Sequence, residues 1–511
     1  MPHSPAPAAP SMIEQHGVDT IPEAERTSTP RDVLSILVGS NLAFGVVVFG
    51  WLPVSFGLSF WASVTSVVLG TVLGIALTAP LALVSLRTAT NLSTSSGAHF
   101  GVRGRLIGSV VGLLLSLGYT ALSLWVGGDV VVGALNRLLG LPAGGPAYVA
   151  TYTVLAALSA TAAVFGYRLM LKLERWLMWA MSVLLLAGLV ALAPHFDPSG
   201  HGSYLLGGFW PTWLLSVVAA GLSGPIAFIT LLGDYTRYVS PARHGERKVL
   251  GATALGLLVG LLIPQLFGTF TALATGAGED YVGGLIAGAP VWFLVPLLLN
   301  GLLGSAGNTG LMLYSMGLDL DAVLPRATRR QATYVVAAVA VTLVFLGHFV
   351  WDAQSAVTSF VLVLTAIGTP WAVITLIGHR RCRGDYDRAS LQVLNRRTRG
   401  GVYWYRAGWN VPATVAWAAG SAVGLCAVDT PVYRGRLLPL TGGIDLSFVL
   451  SGAVAAVLYV LLSRSSRGRA GAAVPVAVPG VVAVPVPVAV PVVAVPVVVA
   501  VPAADPVADR A

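Results

Sequence analysis

The feature that most constrains this chain is its partition into apolar blocks of about twenty residues. Twelve can be read, starting near Val33, Trp61, Leu106, Ala147, Trp176, Trp213, Val249, Val291, Ala332, Val357, Val411 and Ile444. A run of that length crosses a hydrocarbon core of roughly 30 Å as an α-helix, and in lipid only helices or closed barrels satisfy every backbone polar group. The blocks lack the alternation of a barrel strand. The expected fold class is therefore an all-α integral membrane protein with about twelve transmembrane helices. Composition points the same way: 56% of the chain is hydrophobic, and only 10% is charged, against about a quarter in soluble domains.

Orientation follows from Lys and Arg, which resist translocation when they lie in short loops. With twelve helices and a cytoplasmic start, all of the 30 Lys and Arg except Arg137, Arg434 and Arg436 fall in even-numbered loops or in the tails. A multi-pass protein of the cell membrane with both termini cytoplasmic is expected. The first thirty residues are polar and proline-rich with no apolar core, so no cleavable signal is read there. The net charge of +9 is thus mostly a topology signal. Basic residues are scattered through membrane-edge loops such as RRCRGDYDR, which argues against a nucleic-acid partner. Cys382 and Cys426 suggest neither a disulfide framework nor a metal spacing. Three regions result: a polar tail over 1–31, a helical domain over 32–463, and a Val/Pro/Ala-rich tail over 464–511. Proline every few residues forbids a thirteenth helix in that last tail, which is read as extended or disordered.

Glycines four apart, at Gly70 and Gly74, Gly108 and Gly112, and Gly256 and Gly260, read as seams where helix backbones approach closely. Two helices carry more specific interruptions. The first, LVGSNLAFGVVVFGWLPVSFG, sets Ser40 and Asn41 at mid-membrane among Gly39, Gly45 and Gly50. The sixth, GLSGPIAFITLL, is broken or kinked at Gly224-Pro225. Interrupted segments at corresponding positions of two halves point to a central transport site. The halves are expected at about 32–192 and 213–377, with peripheral helices at about 411–462.

Three motifs, correctly ordered and spaced, carry a resemblance. They are FGLSFWASVTSVVLGTVLGIAL in helix two, SSGAHFGVRGR from Ser95 to Arg105, and GDYTRYVSP from Gly233 to Pro241 after helix six. Together they resemble the nucleobase:cation symporter family, of purine-cytosine permease type, from about Arg31 to Leu462. The resemblance implies a five-plus-five inverted-repeat fold with two peripheral helices. It also implies secondary active import of a nucleobase or related heterocycle, such as a purine, cytosine, allantoin or hydantoin, by cation symport with alternating access. The implied partners are a small heterocyclic substrate and the lipid bilayer. The coupling cation is H+ or Na+, no other cofactor is expected, and the oligomeric state is left open, a monomer being one option. The alternative is a transporter-derived sensor or a membrane enzyme without net flux. An enzyme would need a buried nucleophile with its base or a His-Glu metal pair on one helix face, and neither is seen at mid-membrane depth.

In the family an aromatic on helix three stacks on the base, with a polar amide one turn later. LGYTALSLWVGGD offers Tyr119 and Ser123 at that spacing. The second family aromatic falls on Pro225, leaving Phe228 as a replacement from the next turn, and the base-reading asparagine of helix eight falls near Met312. The substrate-binding candidates are Asn41, Gly45, Tyr119, Ser123, Ser223, Gly224, Pro225, Phe228, Asn308 and Met312. Asp234 and Arg237 stand one helical turn apart, with Tyr235 and Tyr238 suited to the headgroup belt. They read either as an anchored helix end or as a latch on the inner gate. Asp129, toward the outer part of helix three, reads as a snorkelling edge residue, or as a residue of the outer vestibule or of proton coupling. In sodium-coupled members the ion is held by carbonyls of interrupted helix one and by a Ser-Thr pair on helix eight. Here that pair falls on Ala306 and Gly307. The nearby replacements for ion binding, Ser305 and Thr309, are read as pointing in different directions, so strong sodium dependence is not expected and no metal site is assigned.

Overall fold

The computed structural model describes residues 17–200, 202–323, 329–349, 353–466 and 474–477. Helix one is two half-helices, Pro30–Gly39 and Phe44–Ser55, bent by 61° across the break. A capping box between Thr29 and Asp32, with Pro30 at the first helical position, starts it. It stops where Ser40 and Asn41 turn their side chains back onto the backbone, Ser40 Oγ donating to the Ile36 carbonyl at 2.8 Å and Asn41 Nδ2 to that of Leu37 at 2.6 Å. Such local bonds offer the chain an alternative to the helical ladder.

Helix two runs over Phe60–Thr88, three over Leu106–Leu139, four over Gly145–Phe165 and five over Tyr167–His195. Helix six covers Phe209–Ile226, seven Glu246–Thr275 and eight Val291–Val323. Helices nine to twelve are Arg329–Phe349, Ala353–Cys382, Val411–Ala427 and Ser447–Ser466. Among the described residues nine helices are long and apolar enough to cross a membrane, and bent helix one makes a tenth; Thr333–Gly347 and Val411–Ala427 are shorter apolar segments. All twelve apolar blocks thus become helix, although two of them fall short of a full crossing on length alone.

The glycine pairs do form close seams. A Cβ built on Gly70 would lie 2.8 Å from the Gly221 Cα of helix six, one on Gly256 3.1 Å from the Leu37 Cβ of helix one, and one on Gly108 2.8 Å from the Trp371 ring. In lipid, burying apolar side chains gives little driving force, so backbone proximity of this kind is what holds helices together.

The cytoplasmic tail expected over 1–31 is not free along its described part. Arg26 is fully buried and donates to the carbonyls of Arg237, Leu86 and Val239 at 2.5–2.9 Å, while Ile21 N reaches the Ala89 carbonyl at 2.8 Å. The segment is drawn in because a guanidinium with several donors satisfies carbonyls left open where helices two and six end. Of the tail over 464–511, Val474–Ala477 is an extended strand paired antiparallel with Arg399–Gly401; the reading of 467–473 and 478–511 lies outside the described residues.

Candidate functional site

Helix six is interrupted, but differently from a simple Gly-Pro kink. Val217–Leu222 winds as a π-helix, Ser223–Ile226 is a short α-turn, and Ala227–Leu231 is irregular. Through the irregular stretch the hydrogen bonds tighten to three-residue spacing, as in Phe228 N to Pro225 O at 3.0 Å and Leu231 N to Phe228 O at 3.1 Å. Pro225 has no N–H, so the carbonyls of Gly221 and Ala220 lack the donor that an α- or π-ladder would bring from that position. Neighbouring helices supply replacements. Thr71 Oγ1 lies 3.2 Å from the Gly221 carbonyl and Gln265 Nε2 donates to Ala220 at 2.9 Å, while the Thr71 hydroxyl also lies 3.1 Å from Gln265 Oε1.

This geometry corrects part of the residue set. Successive residues turn about 100° around a helix. Ser223 meets helix three through its backbone carbonyl, its hydroxyl being turned back onto the Ala219 carbonyl at 2.6 Å, whereas a Cβ on Gly224 would meet Gln265 and Leu261 of helix seven at 3.3 Å, and Pro225 packs within 2.8 Å of a Cβ built on Gly74 of helix two. Gly224 and Pro225 therefore shape the break and face away from Tyr119.

Around Tyr119 the remaining candidates divide. Its hydroxyl donates to the Ser223 carbonyl at 2.9 Å, and its ring lies 5.8 Å from that of Phe49 and 5.6 Å from that of Phe360. Phe49 and Phe360 were missed in the sequence, where each is one apolar residue among many. One turn on, Ser123 Oγ donates to Asn308 Oδ1 at 2.6 Å, and Asn308 Nδ2 donates to the Ser40 carbonyl at 2.7 Å. Helices three and eight are thereby tied to the break in helix one. Gly45 packs directly on Ser123, with a built Cβ 3.1 Å from the Ser123 Cα. Asn41 is turned back onto its own helix; Phe228 and Met312 are buried in the apolar core.

Ser305 and Thr309 do not point in different directions. They lie in one continuous α-helix, Ser305–Val323, where residues four apart share a face. That face is turned to helix three, since a Cβ on Gly127 would overlap the Ser305 side chain. The helix-one break is met instead by Gly304, whose built Cβ would lie 3.2 Å from the Ala43 Cα. Asp129 is half-buried and accepts a hydrogen bond from the Tyr152 hydroxyl of helix four.

The end of helix six is buried, not set among headgroups. Asp234, Tyr235, Arg237 and Tyr238 are 2%, 0%, 0% and 7% exposed. Arg237 donates to the Gly17 carbonyl at 2.6 Å and to the Tyr314 hydroxyl of helix eight at 3.1 Å, and Tyr238 stacks on Tyr167 with ring centroids 4.2 Å apart. The reason is the docked 17–29 segment, which covers this end. The SSGAHFGVRGR loop is likewise covered, by the segment after helix ten: Asn410 N donates to Phe100 O at 2.7 Å and Tyr405 Oη to Ala98 O at 2.7 Å. Burial, with His379 nearby, pushes the His99 imidazole down to about 3.

Comparison with known proteins agrees with this architecture. A family described as permease for cytosine/purines, uracil, thiamine, allantoin matches residues 20–455. YxlA of Bacillus subtilis (strain 168), assigned by name to the purine-cytosine permeases, is 24% identical over 90% of this chain and 98% of its own length. Purine-cytosine permease fcyB of Emericella nidulans is 24% identical over 89% of each. Among solved structures, Mhp1, a nucleobase-cation-symport-1 family transporter, in a closed conformation with bromovinylhydantoin bound, gives a TM-score of 0.67 at 17% identity, covering 90% of this chain and 97% of its own. The inward-facing conformation of Mhp1 gives 0.65 at 19% identity over 90% and 95%. The chain has that helical membrane-transporter fold.

Proposed function

Because the chain belongs to the family of permeases for cytosine/purines, uracil, thiamine and allantoin, we propose that it imports one flat heterocycle of the nucleobase, allantoin or hydantoin type by symport with a proton. The substrate lies between helices one, three, six and eight, with its ring against Tyr119 and its polar edge toward Ser123 and Asn308. Stacking on an aromatic plus a few convergent polar groups is what such a ring requires. The observation that carries this reading is the chain of bonds from Ser123 through Asn308 to the Ser40 carbonyl, beside the Tyr119 ring. It gathers donors and acceptors where helix one is broken, in a position that both halves of the protein can reach. Tyr119, Ser123 and Asn308 are all buried, so loading and release need the helices to separate on alternate sides, which is alternating access. Both termini face the cytoplasm, and Asp234 with Arg237 belongs to the inner closure.

The test is uptake into proteoliposomes of tritiated cytosine, adenine, uracil, allantoin and hydantoin. Each is driven first by a pH gradient alone and then by a sodium gradient alone. Accumulation of one of these under the pH gradient is the expected result. Accumulation driven by sodium alone refutes proton coupling, and the absence of flux for every compound in protein that binds none of them refutes the substrate class.

A further inference from the structure

Glu174, in helix five, is fully buried, and among the described residues neither of its carboxylate oxygens has a hydrogen-bond partner. The carboxylate stands between the end of the first half of helix one and helix eight. A Cβ built on Gly39 would lie 2.8 Å from one oxygen, and one built on Gly307 would lie 3.2 Å from the other. Glycine on both sides makes the room the carboxylate occupies. Gly39 is also the last residue of the half-helix Pro30–Gly39, and the C-terminal end of a helix carries partial negative charge. A bare carboxylate there is desolvated, unpaired and faces a repulsive dipole; an isolated buried charge of this kind is neutralised.

The surrounding charges do not supply that neutralisation. Arg175, the next residue, is paired with Asp32 of helix one. On helix five itself lie Arg168 and Lys172. Helix eight contributes Tyr314 and Asp319, and the inner end of helix six contributes Asp234 and Tyr235. Helix seven carries Glu246, Arg247 and Lys248 at its cytoplasmic end, and helix four carries Tyr148 and Tyr152. None of them gives Glu174 a hydrogen bond.

We propose that Glu174 is the site where the coupling proton binds, one proton on one carboxylate oxygen, next to the break in helix one that the substrate site also uses. A proton needs only one oxygen. A sodium ion needs several, and the hydroxyls of Ser305 and Thr309 are on the helix-three side. The inference rests on the proton symport proposed above, and it replaces Asp129 as the protonation site.

Two measurements separate the claims. The first needs no substrate: infrared difference spectra of the full-length protein in lipid, titrated with pH, for wild type, Glu174→Gln and Glu174→Asp. The expected result is a carbonyl band of a protonated carboxylic acid in the wild type that Glu174→Gln lacks and Glu174→Asp retains, unchanged when NaCl replaces KCl. Glu174→Asp keeps the acid, so the assignment does not depend on the Gln variant alone. Identical spectra in wild type and Glu174→Gln would overturn the proposal, as would loss of the band on adding NaCl at constant pH. The second uses tritiated cytosine. A one-unit pH gradient supports roughly tenfold accumulation for one proton per substrate, and Glu174→Gln should reduce this to none while exchange at equal pH persists. Accumulation undiminished in Glu174→Gln sinks the inference but leaves proton symport standing. A Glu174-dependent band with no pH-driven accumulation of cytosine, adenine, uracil, allantoin or hydantoin in the wild type sinks the symport reading and leaves the proton site.

Discussion

Replacing Gln265 with Leu tests how the break in helix six is stabilised. Gln265 is buried in helix seven and its amide spans two neighbours, donating to the Ala220 carbonyl at 2.9 Å and lying 3.1 Å from the Thr71 hydroxyl. Leucine keeps the volume and removes both bonds. Thr71 is not orphaned, because its hydroxyl also reaches the Gly221 carbonyl at 3.2 Å. Ala220 loses its good donor at the position where Pro225 denies it a π-helical one; the Ser223 hydroxyl, 3.5 Å away, replaces it only poorly. A buried acceptor left without a partner costs about 1–3 kcal/mol, whereas hydrogen bonds between membrane helices average about 0.6 kcal/mol. The proline raises the cost above that average, since it removes the π-helical donor that position 225 would bring to Ala220. We expect a loss of about 1–2 kcal/mol. The assay is reversible denaturation of purified protein, in a double-mutant cycle with Thr71→Val, where neighbours sharing one network are expected to be non-additive. A Gln265→Leu variant within about 0.5 kcal/mol of the wild type, with strictly additive effects, would refute the repair argument.

Three further outcomes are expected. Tyr119→Ala should weaken substrate binding by roughly 1–3 kcal/mol, the scale of a base-aromatic stack. Tyr119→Phe should change it by less, because the Ser223 carbonyl keeps the Ala227 N–H at 3.0 Å; equal losses in calorimetric titration would remove stacking as the cause. His99 stays neutral in the fold down to about 3, while in the unfolded chain it protonates near pH 6.5. Between those values the unfolded state holds more protons, so stability falls on acidification, by roughly 2 kcal/mol at pH 5. His99→Gln should flatten that slope, and an unchanged pH profile of thermal stability would contradict it. Asp234→Asn and Arg237→Gln, singly and together, should expose a cysteine introduced at the Asp234 end of helix six. Additive labelling rates would mean that the two residues do not act together at the inner closure.

Local chemistry made much of this protein legible in advance. The apolar blocks fixed where helices form, because in lipid a run of that length has few other ways to pair its backbone. Ser40-Asn41 and Gly224-Pro225 marked the two breaks, because residues that compete for backbone bonds or lack an N–H act within a turn of their own position. The resemblance supplied the pairing of Tyr119 with Ser123. What only the tertiary structure decided is who answers each break from far away in the chain. Thr71 and Gln265 reach the carbonyls freed by Pro225 from helices two and seven, and Arg26 covers the end of helix six from the N-terminal segment. Glu174 is the clearest case. In RLMLKLERW it sits among basic residues, and nothing in its neighbours shows that folding carries it between Gly39 and Gly307, where its carboxylate has no partner among the described residues.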